Sequence, residues 1–363
     1  MNVAEQIVAQ LVDAGVHRIY GIVGDSLNPI VDAVRKTGGS KKGGIDWIHV
    51  RHEEAAAFAA SAEAQLTGKL AVCAGSCGPG NLHLINGLYD ANRTGAPVLA
   101  IASHIPSVQI GSTYFQETHP DRIFEECSVY NELISSAAQS PRTVNSAIRH
   151  AVGLGGVSVI TLPGDVSDLK AVEHVPTYAP ARPATLAPNP ADIDEAAALL
   201  NKADKVAIFA GAGVEGAHDE VIALADALKA PIGHSLRGKH FIQYDNPFDV
   251  GMTGLLGYGA AAEGMNDADV LILLGTDFPY DQFLPDTPTI QVDTHAEKLG
   301  RRTDVGLAIH AQVKPFIEAL LPHLRAGRSD SFLKAKIKKH SEIMHAPVGA
   351  YTRNVEKMRP IHP

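Results

Sequence analysis

The apolar positions of this chain fall into short runs separated by amphipathic stretches, and that alternation occurs in two series. "AEQIVAQLVDAG" (4–15) spaces its apolar residues along one helical face and stops at a glycine. "RIYGIV" (18–23) predicts a strand, and "DSLNPIVDAVRK" (25–36) predicts a helix with Asp25 or Ser26 placed to cap it. Strand "IDWIHV" (45–50), a helix over 52–67, strand "KLAVCAG" (69–75) and helix "GNLHLINGLYDANR" (80–93) come next. The strands "APVLAIAS" (96–103) and "GVSVITLP" (156–163) follow, the second after a helix near "RTVNSAIRHAVG" (142–153).

A stretch rich in proline (Pro176, Pro180, Pro183, Pro188, Pro190) then interrupts the pattern and reads as an extended linker. The second series runs through helix 191–202, strand "KVAIFAG" (205–211), helix 217–228, strand "DVLILLG" (269–275) and strand "TIQVD" (289–293). From about residue 328 the chain reads as a polar helix ending in "MRPIHP". Short apolar strands alternating with helices predict the α/β class: two consecutive open parallel-sheet domains with helices on both faces. The expected boundaries are 1–175, a linker at 176–190, 191–327, and a tail at 328–363.

Composition narrows the class. With 31 Lys+Arg against 40 Asp+Glu, the net charge of -9 excludes the basic footprint of a general nucleic-acid binder. The stretches "GGSKKGG" and "KAKIKKH" are short and separate, as solvated surfaces are. Cys73, Cys77 and Cys127 are too few for a disulfide scaffold and lack zinc-ligand spacing, so buried free thiols and a cytoplasmic setting are expected. The amino terminus has no basic region followed by an apolar core, so no export signal is read.

Four places carry candidate chemistry. In "RHEEAAAFAASAEAQLTG" (51–68), Glu53 and Glu54 head an alanine-rich helix. Acids in a first turn gain about 0.3–1 kcal/mol from the helix dipole. Consecutive helical residues diverge by about 100°, so one can be buried and the other solvated. "GSCGPGNLHLINGL" (75–88) sets Gly78, Pro79 and Gly80 between a strand and a helix, either as a tight crossover or as a close approach to a ligand. "IGSTYFQETH" (110–119) is polar and aromatic, the composition of a loop lining a site.

In the second domain "FAGAGVEGA" (209–217) holds G-x-G-x-x-G (Gly211, Gly213, Gly216) after a strand and before a helix. The next strand, "APIGHSL", offers His234 and Ser235 instead of the ribose-binding acid of a simple dinucleotide site. The alternatives are a tight packing turn or another nucleotide geometry. "LRGK" (236–239), "GMTGLLG" (251–257), "LLGTDFP" (273–279) and Asp293 supply further small or polar strand ends, which together suggest an extended nucleotide such as FAD.

Taken in order, "GDSLN", "RHEEAAAFAASAEAQLTGKLAVCAGSCGPGNLHLINGL", "IGSTYFQETHP", "GVSVITLPGDV", "LRGK", "YDNPFDVGMTGLLG" and "LLGTDFPY" resemble the thiamine-diphosphate-dependent enzymes of the pyruvate oxidase and acetolactate synthase group. The likeness is greatest to their bacterial quinone-dependent pyruvate dehydrogenase branch. The resemblance implies that Glu53 contacts the aminopyrimidine of thiamine diphosphate and shares a proton with its ring nitrogen. It implies that Gly24, Asp25, Ser26, Ser76 and Gly78 line the pyrimidine and substrate side, and that Phe115 and Gln116 reach the reacting centre. FAD would contact Gly211, Gly213, Arg237, Gly238, Gly251, Met252, Thr253, Gly254, Gly275, Thr276, Asp277, Phe278 and Asp293. The implied reaction converts pyruvate to acetate and CO2 with electrons passing through FAD to a membrane quinone. A carboligase of the acetolactate synthase type, or a non-catalytic FAD-binding module, shares the same motifs.

Active sites of the family lie between subunits, which implies a homo-oligomer, dimer or tetramer. The family's "GDG" segment, which holds Mg²⁺ and the diphosphate in a third domain, has no counterpart here; "PGDV" (163–166) is not it. The expectation is therefore a chain that is inactive alone, drawn from an enzyme whose full-length form is peripheral at the inner membrane face.

Overall fold

The computed structural model describes residues 1–173, 178–179 and 184–352, with side chains described as far as 345. The chain divides into two compact units, Met1–Arg182 and Pro183–Pro363. Most of the proline-rich stretch before Ala184, and the tail beyond Thr352, lie outside the described residues.

The first unit carries six parallel strands: β1 Arg18–Gly21, β2 Asp46–His49, β3 Ala71–Gly75, β4 Val98–His104, β5 Tyr130–Leu133 and β6 Val157–Pro163, in the order β2-β1-β3-β4-β6-β5. Every residue of β3, β4 and β6 is buried, because helices cover both faces. Val72, Ala74, Leu99 and Ile101 pack toward the helices Val3–Asp13, Asn28–Lys36 and Ser140–Leu154. The alternate residues Ala71, Cys73, Val98, Ala100 and Ala102 pack toward Glu53–Thr67 and Pro79–Thr94.

Those last two helices cross at very short range. Ala56, Ala57, Ala60 and Ala64 are buried, and a Cβ on Gly87 would lie 2.5 Å from Cβ of Ala57 and 2.6 Å from the Phe58 amide nitrogen. The alanine run of the sequence is thus a contact surface for a neighbouring helix, which explains its low helical amphipathicity. All three cysteines are free and buried; burial pushes the Cys73 thiol up to about 12 and the Cys127 thiol to about 11.

The second unit holds β7 Val206–Ala210, β8 Ile232–His234, β9 Asp249–Met252, β10 Tyr258–Gly259, β11 Val270–Leu274, β12 Thr289–Asp293 and β13 Leu307–His310. Their order is β10-β9-β8-β7-β11-β12-β13, parallel except for the two-residue β10, which runs antiparallel to β9. Val206, Ile208 and Ala210 face one core with helices Pro190–Lys202, His218–Leu228 and Val313–Leu320. Ala207, Phe209, Leu271 and Leu273 face a second core with Met265 and Phe278. The polar tail forms a helix, Ser331–Thr352. No described helix is long and apolar enough to cross a membrane.

Candidate active site

In an open parallel sheet, ligands lie outside the carboxyl ends of the strands where the strand order reverses. In the first unit that point falls between β1 and β3, since β2 leaves on one side of β1 and the later strands build on the other. The loops leaving these two strands touch there: a Cβ on Gly24 would lie 2.4 Å from Oγ of Ser76.

The residues expected to line the pyrimidine side do meet at this edge. Asp25–Leu27 forms a 3-10 turn before the Asn28–Lys36 helix, and Leu27 rather than a polar side chain occupies the capping position. The expected cap is therefore absent. Ser26 is drawn inward: its Oγ lies 3.0 Å from Oγ of Ser76 and 2.6 Å from Oγ of Ser103, and accepts from the Cys77 amide at 3.0 Å. Asp25 instead accepts from the Asn28 side chain at 3.4 Å. Ser103, next to last in β4, has its carbonyl accepting from Nδ2 of buried Asn81 at 2.7 Å.

Gly78 has φ +69, and a Cβ there would lie 2.8 Å from Cβ of Gln116, so the 75–80 turn and the 110–119 loop interlock. Gln116 itself is left-handed (φ 64) and its Oε1 lies 3.6 Å from Sγ of Cys77. Phe115 is 79% exposed, so within this unit it makes no enclosed contact.

Glu53 begins its helix and is 7% exposed. His52 caps that helix through Nδ1, which accepts from the Glu54 amide at 3.2 Å. Oε2 of Glu53 lies 3.0 Å from Nδ1 of His83, whose ring stacks on that of His52 with centroids 4.2 Å apart. Oε1 faces the glycine turn, 3.1 Å from where a Cβ on Gly80 would stand. Glu54 turns outward, accepting from Asn86 at 3.2 Å with His52 Nδ1 3.8 Å away. One acid is enclosed and the other solvated, as the helical rotation between them requires.

His83, Asn81 and Ser103 were not picked out from the sequence. A signal was present for His83, which follows Gly80 by three positions and so shares its helical face. Ser103 is a small polar residue near the carboxyl end of an apolar strand, the edge that faces a ligand in such sheets.

In the second unit the reversal lies between β7 and β11. There Gly211, Gly213, Gly238 and Gly275 pack backbone on backbone: a Cβ on Gly213 would lie 2.6 Å from Cα of Gly275, and one on Gly238 would lie 2.5 Å from the Ala210 carbonyl. The Gly211 amide donates to Leu274 and that of Gly213 to Gly275, both at 2.9 Å. A 3-10 turn at Ala212–Val214 follows, and the helix begins only at His218. The first two glycines of the fingerprint thus serve packing, and the amides of Gly211 and Gly213 are engaged by backbone.

Elsewhere in this unit Gly254 sits against Phe278, 3.2 Å from its ring to the Cβ position, while Met252, Thr253, Thr276 and Phe278 are buried. Gly251 approaches the Tyr258 carbonyl to 2.4 Å at its Cβ position. Asp277 is held by Arg301 and Arg302, and buried Asp293 accepts from the His295 amide at 2.9 Å. Leu236, Lys239, His240, Gln243 and Tyr244 line an open surface pocket of about 350 Å³, and Arg237 and Gly238 are not among its lining residues. The glycine-rich strand ends at 211–213, 238 and 275–276 therefore adjoin at one edge, and 254 adjoins 278.

Comparison with known proteins decides the family. Residues 1–123 match the model described as thiamine pyrophosphate enzyme, N-terminal TPP binding domain, and residues 193–320 match that described as thiamine pyrophosphate enzyme, central domain. The chain belongs to the thiamine pyrophosphate enzyme family.

It is 54% identical over 337 residues to an uncharacterized 42.6 kDa protein of Pseudomonas amyloderamosa, covering 92% of this chain and 84% of that protein. It is 32% identical over 335 residues to pyruvate oxidase of Lactiplantibacillus plantarum (89% of this chain, 54% of that protein). To the large subunit of acetolactate synthase isozyme 1 of Escherichia coli it is 31% identical over 332 residues (89% and 58%). The chain thus spans little more than half the length of these two enzymes.

The first unit fits the pyrimidine end of thiamine diphosphate. A nearly enclosed carboxylate presents one oxygen to a turn where glycine leaves space, and hydroxyls of Ser26, Ser76 and Ser103 gather at the adjoining strand ends.

Proposed function

We propose that this chain forms the cofactor-pyrimidine and central portions of a thiamine-diphosphate- and FAD-dependent enzyme that oxidises pyruvate to acetate and CO2. The observation carrying the reading is Glu53: buried, fixed by His83 through Oε2, and presenting Oε1 beside Gly80. When bound, thiamine diphosphate supplies the carbon nucleophile and the electron sink for decarboxylation. Glu53 would hold a proton at Oε1 against the pyrimidine ring nitrogen, a general acid–base role suited to a carboxyl shielded from water. The His83 contact fixes the carboxylate's rotation, so the proton has one direction of transfer. Gly80 lets the ring approach, since a side chain there would stand 3.1 Å from that oxygen. The left-handed Gln116 over Gly78 closes the loop beside it.

The overall change is pyruvate and water to acetate, CO2, two protons and two electrons. FAD, contacting the second unit's 211–213, 236–239, 251–254 and 275–278 strand ends and Asp293, would take the electrons and pass them to a membrane quinone. The adjoining carboxyl edge of β7 and β11 supports that placement, because it is where an open sheet binds extended nucleotides. Mg²⁺ and the diphosphate would be held by parts of the enzyme that the larger relatives possess. A cytoplasmic homo-oligomer reaching the membrane only to reduce quinone fits the resemblance.

The acetolactate synthase relatives support a second reading, carboligation with FAD retained as a structural cofactor. Product analysis of the full-length enzyme separates the two: acetate with a reduced acceptor, or acetolactate. In either case Glu53→Gln should lower turnover by about a hundredfold or more while flavin absorbance stays. Near-normal turnover would sink the assignment of Glu53.

A further inference from the structure

His52 and His83 are 31 residues apart in sequence, yet the packing of two helices brings their rings into a stack with an interplanar angle of 26°. Glu53 lies beside them, and one ligand-type atom from each of the three falls within 4.8 Å of the others. Two imidazoles and a carboxylate are donors that suit first-row transition dications, while Mg²⁺ and Ca²⁺ favour oxygen alone. Zinc-class ions bind His nitrogen and carboxylate oxygen at about 2.0–2.2 Å, so two donors on one ion stand about 2.9–3.5 Å apart. The separation between His83 Nδ1 and Glu53 Oε2 is 3.0 Å. We propose that His52, Glu53 and His83 form a binding site for a zinc-class transition-metal dication.

Access and second-sphere chemistry both favour it. The side chains of His52 and His83 are 48% and 44% exposed, so an ion enters from solvent, while that of Glu53 at 9% supplies an enclosed anion. In the metal-free chain a proton lies between His83 Nδ1 and Glu53. The ion replaces it, and that proton leaves to solvent. His52 ligates through Nε2, which puts its ring proton on Nδ1; the Glu54 amide then loses the acceptor that caps its helix, and that proton turns toward Oε2 of Glu54, 3.8 Å away before any adjustment. A carboxylate that takes the proton of the non-ligating nitrogen is the usual support for a metal-binding histidine, and here it replaces the lost cap. The site lies near the amino-terminal ends of two helices, whose dipoles oppose a cation, and the paired charges of Glu53 and Glu54 offset that opposition.

The ion would occupy the carboxylate assigned above to the cofactor's pyrimidine. A consequence that rests on that reading is competition between the metal and thiamine diphosphate.

Titration of the chain with Co²⁺, followed by its visible ligand-field absorption and by displacement with Zn²⁺, tests the site without any cofactor. One equivalent should bind, excess Mg²⁺ should not displace it, and His52→Ala and His83→Ala should each weaken binding by about tenfold or more. Zn²⁺ should also raise the melting temperature of the wild-type chain and fail to raise that of His83→Ala, a comparison valid even where the variant is less stable. Unchanged affinity in His83→Ala, or displacement by Mg²⁺, overturns the site. Metal binding that thiamine diphosphate leaves undisturbed overturns only the competition.

Discussion

Gly87→Ala tests the account of the alanine-rich helix, because two effects of opposite sign meet at one methyl group. Gly87 lies inside the Pro79–Thr94 helix, where alanine outranks glycine by about 0.8–1 kcal/mol in helix propensity. Against this, the new Cβ would stand 2.5 Å from Cβ of Ala57, 2.6 Å from the Phe58 nitrogen and 2.8 Å from the Ala57 carbonyl carbon. Two of these atoms are backbone, so relief requires the helices to separate. Overpacking of this kind costs about 1–3 kcal/mol, and at the upper end where backbone must move. The net expectation is a loss of about 1–2 kcal/mol, or roughly 2–8 °C in the melting temperature of a unit this size.

Gly153→Ala is the matched control. Gly153 lies in the Ser140–Leu154 helix, and its Cβ position has nothing within 4 Å. It should gain about 0.5 kcal/mol from the stiffer unfolded chain. Thermal melts followed by circular dichroism compare the two. If both variants were stabilised alike, helix propensity alone would be at work and the close crossing would be refuted. Because Glu53 heads the Ala57 helix, a separation of the helices should also displace its carboxylate from His83.

Two further outcomes follow from the geometry. Gly275→Ala forces a left-handed φ of 57 on alanine and sets its Cβ 2.4 Å from Cα of Gly213, so about 2–5 kcal/mol of stability should be lost; a denaturant midpoint equal to wild type would show that the β7 and β11 loops do not pack as described. His104 is 3% exposed, its Nδ1 has no partner among the described residues, and burial holds its pKa below the ordinary 6.5. In that window the unfolded chain binds more protons than the folded one, so stability present above pH 6.5 should fall as pH drops through the folded pKa; if His104→Gln left the slope of stability between about pH 7 and 5 unchanged, burial of this group would not be its source.

Much of the fold could be read in the chain because buried parallel strands are apolar throughout. β3, β4, β6, β7, β11 and β12 are buried at every position and lie within segments expected to be strands, apart from His104, one residue past the expected end of β4. The strands without such a signal are β5, β9, β10 and β13. β5 and β13 sit at sheet edges; β5 reads "YNEL" and β13 alternates buried and exposed residues, so neither presents a continuous apolar run. β9 and β10 bring glycine into very short elements. The order of strands, and hence the two reversal points, follows from crossovers that periodicity does not encode.

The same division of labour explains what the sequence could say of the site. Glu53 and Glu54 are adjacent and chemically alike, and only the neighbouring helix distinguishes them. Gly87 and the buried alanines set how closely that helix approaches, and the approach brings His83 to one oxygen of Glu53 and Gly80 beside the other. Asn86, on the same helix, takes the outward carboxylate of Glu54. The geometry around Glu53 is thus a product of helix packing within the first unit, and the G-x-G-x-x-G turn is its counterexample. There a motif known for meeting phosphate uses Gly211 and Gly213 to seat one loop on another, with both amides already bonded to backbone carbonyls. A glycine's meaning is decided by the atoms nearest its missing side chain: at Gly80 they are a carboxylate oxygen at 3.1 Å and a serine carbon at 3.3 Å, near a candidate ligand space, while at Gly213 the nearest three all belong to the backbone of Gly275.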